Sequence, residues 1–395
     1  MDRGVRNNFP EGITFSVSAQ SDSPIERVRL RYKILPDGTA AIGLAEFTPA
    51  TSVSTTFELA GNDPPRIYLP PGTVIEYFWE VTDADGKTAT TETETFFYDD
   101  VRFDWRTVEA NGVTIYFYSG SEELARQMLD TAVETIDSMS ALLQIEVPFP
   151  VKVWVYENRD DMRPALARRS ETYEASVITA GVRVASDTVL VLGNASFDTL
   201  RHEVAHVVTA VAGEGPFGSL PAWLDEGTAV WAQGDPGGFR SAVESAIQRG
   251  NVFSVRQITS YQGDPSGVGL FYGQSWSLVS YLIDTYGQEK FAQLFAEIKG
   301  GKRVDNALLA VYGFDQDGLD EEWRAAHGLP PRVTPAPEPE RPAETAAPTR
   351  RDGGAPQTGG GNGTSAAAVV GVLLGVLGLA GAVGLLGLTL ARRLR

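Results

Sequence analysis

The chain has no cysteine, which rules out a disulfide framework, a thiolate nucleophile and any cysteine-ligated zinc or iron–sulfur site. Histidine is nearly as scarce, with three among 395 residues, so chemistry that needs imidazole is confined to three positions. Positive charge is also short: 33 Lys and Arg stand against 51 Asp and Glu, a formal charge of −18. The Arg pairs are scattered rather than striped along one element, so nucleic acid is not expected as a partner. What is plentiful is apolar material, 43% of the residues, enough for two or three globular domains.

The C-terminal end sets the expected localisation. Residues 366–391 carry no charge and are rich in Leu, Val, Ala and Gly, a run long enough to predict a single transmembrane helix with the lipid bilayer as partner. Arg392, Arg393 and Arg395 outweigh Arg350 and Arg351 with Asp352, so residues 392–395 form a basic cytoplasmic tail and the rest of the chain is extracytoplasmic. That orientation requires an export signal. Met1-Asp2-Arg3-Gly4 leads directly into polar, strand-like sequence with no apolar h-region, so a truncated or late-assigned start is expected. A second reading of the same end is open. Ala355-Pro356-Gln357-Thr358-Gly359, followed by an apolar span and Arg-rich tail, resembles a sortase sorting signal, with Ala355 where that motif usually has Leu; cleavage after Thr358 would place the protein on the cell wall.

Residues 1–100 alternate with the period of strands, as in Ile13, Phe15 and Val17, in Val28, Leu30 and Tyr32, and over 74–81 and 90–98. Turns such as Pro71-Gly72 and Asp83-Ala84-Asp85-Gly86 separate the runs. The pattern predicts an all-β sandwich, immunoglobulin-like or fibronectin-like in strand pattern alone. From 101 to 329 the pattern is mixed: strands at 113–118, 151–156 and 188–192, and a helix carrying Leu124, Met128, Ala132, Ile136, Met139 and Leu143 at spacings of three and four. This is an α+β domain. Residues 330–365 hold eight of the 23 prolines and a Gly-rich end, a solvated linker between domain and membrane.

The chemistry lies in Asp198-Thr199-Leu200-Arg201-His202-Glu203-Val204-Ala205-His206, an apolar-periodic stretch that uses two of the three histidines. On a helix, His202 and His206 are four apart and project from one face, where two imidazoles can hold one Zn²⁺ while Glu203 reaches the water beside it. A catalytic zinc takes a third protein ligand and keeps its fourth position open. Pro221-Ala222-Trp223-Leu224-Asp225-Glu226-Gly227-Thr228-Ala229 offers a carboxylate, Glu226, on a second helix, with nineteen residues between it and His206.

These two segments resemble the gluzincin metallopeptidases of the peptidase MA-like superfamily, with a zincin-like fold, and in detail the zinc helix pair of the aminopeptidase N family. The resemblance implies that His202, His206 and Glu226 are the zinc ligands, that Glu203 is the general base and that the substrate is polypeptide. It also offers Tyr272, in Phe271-Tyr272-Gly273-Gln274-Ser275, as the transition-state tyrosine of a Tyr-x-Lys-Gly helix, with Gln274 and Ser275 in place of Lys and Gly. The Gly-x-Met-Glu-Asn motif with which those aminopeptidases hold an α-amine has no counterpart in 188–193. An endopeptidase is therefore expected, with the apolar strand 188–192 pairing with an extended substrate. Asp225 is placed to orient a ligand, and His327 to complement a helix C-terminus. The alternative is a non-catalytic surface adhesion or binding protein with a zinc-binding domain; a structural site would be closed by four ligands and has no use for Glu203. Oligomeric state is not legible.

Overall fold

The computed structural model describes residues 1–60, 67–167, 180–215, 219–261 and 265–332. The expected transmembrane segment, its basic tail, the sortase-like motif and nearly all of the linker lie outside the described residues. Among the described residues no helix is long and apolar enough to cross a membrane.

The N-terminal region is β-rich. It comprises β1 (Asp2–Asn7), β2 (Gly12–Leu35), β3 (Ala41–Leu44), β4 (Ala50–Ala60), β5 (Thr73–Asp83), β6 (Thr88–Thr90) and β7 (Glu94–Tyr98). The alternating runs around Phe15 and Leu30 are two halves of one 24-residue strand. The intervening Ser21-Asp22-Ser23-Pro24 produces a register shift rather than a chain reversal. The first half of β2 pairs with β1 and β4, the second with β3 and β5. The Phe15 ring meets Tyr77 at 4.8 Å and Phe96 at 6.4 Å, so the two halves of the sheet share a core. An immunoglobulin-type strand order is not apparent, because all seven strands are hydrogen-bonded into one set through β2 and β5. The strand expected over 90–98 is interrupted between β6 and β7.

A second sheet follows, built from β8 (Arg106–Ala110), β9 (Val113–Phe117), β10 (Val151–Tyr156), β11 (Gly181–Ala185) and β12 (Thr188–Leu192) in the order β11-β12-β10-β9-β8. Its central strands β9, β10 and β12 are parallel, and both edges are antiparallel. Helix α1 (Glu122–Leu143) makes the crossover from β9 to β10, and a short α2 (Arg159–Met162) follows β10. Every residue of β10 and β12 is buried, which is why both read as continuous apolar runs.

The alternation within β10 sends two kinds of side chain to two faces. Val153 and Val155, with Val189 and Val191 of β12, pack under Met128 and Ala132 of α1 and under Leu200, Val204 and Val207 of α3 (Phe197–Gly213). Trp154 and Tyr156, with Leu190 and Leu192, pack into the cluster that holds Phe15, Ile75 and Trp79 of the N-terminal region. The boundary near residue 100 thus divides two sheets but not two cores. Lys152 adds a polar stitch, donating to Gly72 O at 2.7 Å and pairing with buried Asp187. The remaining helices, α4 (Ala222–Ala232), α5 (Gly238–Gln248), α6 (Val268–Tyr286), α7 (Gln288–Lys299), α8 (Val304–Tyr312) and α9 (Gln316–Ala326), form a lobe around Trp223, Leu278, Phe291 and Trp323.

Candidate metal centre

Helix α3 starts where β12 ends. The Ser196 hydroxyl caps it by accepting the Thr199 N–H at 3.1 Å, and Asp198 in the first turn suits the positive end of the helix. One turn further on, His202 and His206 share the face that looks toward α4. Gly227, directly after Glu226, lets the second helix come close: a Cβ there would lie 2.3 Å from the Ser275 carbonyl oxygen of α6. The Gly is therefore required by helix packing, and it fixes where Glu226 stands.

His202, His206 and Glu226 converge, all three nearly fully buried. Nε2 of His202 lies 3.2 Å from Nε2 of His206 and 3.1 Å from Glu226 Oε2, and His206 Nε2 lies 3.5 Å from the same oxygen. Donor atoms about 2.0–2.1 Å from a tetrahedral centre stand roughly 3.3 Å from one another. The three measured separations bracket that edge length, and Oε1 of Glu226 is buried without a hydrogen-bond partner. The donor set and its spacing fit a zinc ion.

Each imidazole is held from behind at Nδ1. His206 Nδ1 meets Asp225 Oδ1 at 3.0 Å, and that oxygen also accepts the Thr209 hydroxyl at 2.6 Å. His202 Nδ1 lies 2.9 Å from the Gln233 amide. A half-turn of that amide presents either a donor or an acceptor, so the same contact can support Nδ1–H with Nε2 bare. Burial acts to raise the Asp225 carboxyl, but the charge and hydrogen bond of His206 outweigh it, with Arg183 and Thr209 adding to the effect, and bring it down to about 2. Burial acts to lower His206, yet Asp225 and Glu226 hold it well above the usual imidazole range.

Glu203 lies between the ligand group and the sheet edge. Its Oε2 accepts the backbone N–H of Arg183 in β11 at 3.1 Å, while Oε1 is buried with no hydrogen-bond partner. Burial raises its pKa, opposed by the two histidines. Gly181 makes this approach possible, since a Cβ there would stand 2.8 Å from Glu203 Cγ.

Tyr272 lies in α6, buried, with its ring 6.0 Å from that of His202 and stacked on Phe239 at 5.1 Å. Gln274 is turned away to clamp the backbone of Phe253 in both directions, accepting its N–H at 2.9 Å and donating to its carbonyl at 2.7 Å. Its place two residues after Tyr272 is thus a structural one. His327 caps α9, with Nδ1 2.8 Å from the Trp323 carbonyl oxygen, and is not part of the His-His-Glu group.

Four site residues escape a reading of the sequence. Gln233 carried a usable signal, being seven residues beyond Glu226 and so on the same helix face. Thr209 had the same signal, at i+3 from His206. Tyr261, whose hydroxyl burial and the neighbouring Glu226 and Asp225 carboxylates hold well above the ordinary phenol range, sits in a loop with no periodicity to announce it. Arg183 lies on β11, a strand that forms a hairpin with β12 through Ser186-Asp187. This hairpin corrects one expectation: β12 is paired on both sides, so 188–192 cannot receive a peptide, and the edge of the sheet is β11.

One helix laid on a mixed sheet, a second packed against it, three convergent side chains able to hold a metal and a glutamate reaching the sheet edge form the arrangement of a zinc metallopeptidase-like domain. Residues 131–327 match the model of the Peptidase MA superfamily, and this domain belongs to that superfamily as a gluzincin-type zinc peptidase domain. No curated protein matches the sequence. Among solved structures, a mutant of the M1 zinc metallopeptidase from Deinococcus radiodurans is 13% identical, covering 85% of this chain and 94% of its own with a TM-score of 0.38. A bromine derivative of BhCBM56 is 18% identical, covering 24% of this chain and 88% of its own with a TM-score of 0.18.

Proposed function

We propose that the protein is a zinc-dependent peptidase, an endopeptidase rather than an aminopeptidase, held at the outer face of a membrane by residues 366–391. The observation that carries the peptidase reading is the division of labour at Glu203: one carboxylate oxygen is fixed by a backbone N–H of the edge strand, and the other is left unpartnered beside three convergent donors.

His202 and His206 would bind the metal through Nε2 and Glu226 through its carboxylate, with Asp225 and Gln233 fixing the rings. A bound zinc ion supplies a Lewis acid and an acidified water at neutral pH. Glu203 Oε1 accepts a proton as water adds to the scissile carbonyl and returns it to the departing amine nitrogen. The Arg183 N–H keeps the carboxylate from turning while this happens. Tyr272 is assigned as the hydroxyl that donates to the developing oxyanion. The substrate would lie extended along β11, where Gly181 turns its N–H and C=O and Arg183 its C=O away from β12, as the bond from Leu192 N–H to Ala180 O requires, while the Arg183 N–H stays with Glu203.

The test is cleavage of a denatured protein mixture and of end-blocked peptides by the zinc-loaded protein. Cleavage is expected for wild type and lost in Glu203→Gln with metal retained; cutting restricted to peptides with a free N-terminus would overturn the endopeptidase assignment. Tyr272→Phe is expected to lower turnover about 10²-fold or more at unchanged zinc content. The anchor is tested by mass spectrometry of the mature C-terminus, where an end at Arg395 supports a membrane helix and an end at Thr358 replaces it with sortase attachment.

A further inference from the structure

The edge strand that meets Glu203 carries a cation. Arg183 pairs in register with Val189, and Val189 lies on the helix-covered face of the sheet, so the Arg183 side chain runs along α3. It is 12% exposed, and its Nε is buried with no hydrogen-bond partner. Its one ion pair among the described residues is with Glu214, at the C-cap of α3, through Nη2 at 3.1 Å. That carboxylate is 43% exposed, so an incoming carboxylate can take its place while Glu214 turns into solvent rather than being left buried and unpaired. Arg183 thus joins the outer end of α3, through its side chain, to Glu203, through its backbone N–H, on the strand along which a substrate would run.

A guanidinium that is 12% exposed, with an unused N–H and one tradable partner, is suited to a planar anion that arrives with the substrate. We propose that Arg183 is a specificity-determining residue that receives a substrate carboxylate next to the scissile bond and disfavours a free α-amine there. The inference deepens the peptidase reading and rests on it. The carboxylate could be an Asp or Glu side chain or the free C-terminus of a short peptide; the chemistry at the guanidinium is the same.

The experiment uses three internally quenched peptides: one with Glu beside the cleaved bond and both ends blocked, its Gln counterpart, and the Gln peptide shortened to end in a free carboxylate. Binding is measured by fluorescence polarisation to zinc-loaded Glu203→Gln protein, which does not turn over, and kcat/KM is measured with wild type. Carboxylate-bearing peptides are expected to bind about tenfold or more tightly than the neutral one, as hydrogen bonds to charged groups allow. Whichever of the two binds more tightly identifies the source. Arg183→Gln should abolish the preference, Arg183→Glu should invert it, and Glu214→Gln, which frees the guanidinium, should increase it. If Arg183 only ties β11 to α3, its variants lower all three peptides alike at unchanged zinc content, and the proposal is wrong. Equal binding of Glu and Gln peptides also overturns it. Discrimination in binding with no cleavage by wild type would instead sink the peptidase reading and leave Arg183 as a carboxylate receptor.

Discussion

The two faces of the five-stranded sheet make opposite uses of the same strands. On one, Val153, Val155, Val189 and Val191 form a smooth aliphatic floor under α1 and α3, and above that floor sit the unpaired carboxylate oxygens of Glu203 and Glu226. On the other, Trp154 and Tyr156 enter an aromatic cluster in which Trp154 stacks on Tyr116 at 4.2 Å and meets Trp105 edge-on at 4.7 Å, while the Tyr156 hydroxyl donates to buried Asp100 at 3.0 Å. The first face tolerates buried polar atoms without partners because a ligand can satisfy them. The second pairs Asp100 and Lys152 internally, leaves Nε1 of Trp79 and of Trp154 buried without an acceptor, and is the face that joins the N-terminal region to the rest. Function and cohesion are thus separated by the thickness of one sheet.

The separation can be broken from either side, and the largest effect belongs to the helix face. Glu203→Gln should cost about 10²–10⁴-fold in kcat, with no loss of stability in a denaturant melt, because the amide oxygen can still accept the Arg183 N–H. Across the sheet, Trp154→Ala should destabilise by about 3–5 kcal/mol in the same melt while leaving zinc stoichiometry intact in the folded fraction. Lys152→Ala acts on the same seam. It leaves Asp187 buried without its partner and should cost about 3 kcal/mol or more. A melt in which residues 1–100 unfold before the rest would contradict the shared core.

Smaller effects sharpen the contrast. Asp225→Ala removes the carboxylate that orients His206 and should weaken zinc about 10–100-fold, read by competition with a chromogenic chelator. At the far end of the scale, Arg256→Ala breaks contacts to Asp305, Asp315 and Asp317, but all four side chains are substantially exposed. A change of less than about 1 kcal/mol is expected. A larger loss would mean that this surface network holds the helical lobe together.

Much of the site was legible because helices write their faces into the sequence. The spacing of four put His202 and His206 on one helix face with Glu203 beside them, while Glu226 as third ligand and Tyr272 were reached through the resemblance to a zinc helix pair and a Tyr-bearing helix. What did not show was whatever depends on the sheet edge. Gly181-Val182-Arg183-Val184-Ala185 alternates, but over five residues this is a weak signal, and nothing in it says that Arg183 N–H will bind Glu203. In the N-terminal region the strand period was plain, while the continuity of β2 through Ser21-Asp22-Ser23-Pro24 was not, since those residues ordinarily mark a turn. The union of the two cores was written in β10, where Trp and Tyr alternate with Val. One face needed aromatics and the other did not, and that asymmetry marks a strand covered by two different partners.

The account stands on three donors meeting at one point. Elemental analysis and zinc titration of the wild-type protein and of Glu226→Ala, both purified without chelator, test it most directly. One zinc per chain in wild type, lost or strongly weakened in the variant, is the predicted result. A wild type that binds no zinc, or a variant that binds it equally well, would contradict the assignment of His202, His206 and Glu226 as the metal centre.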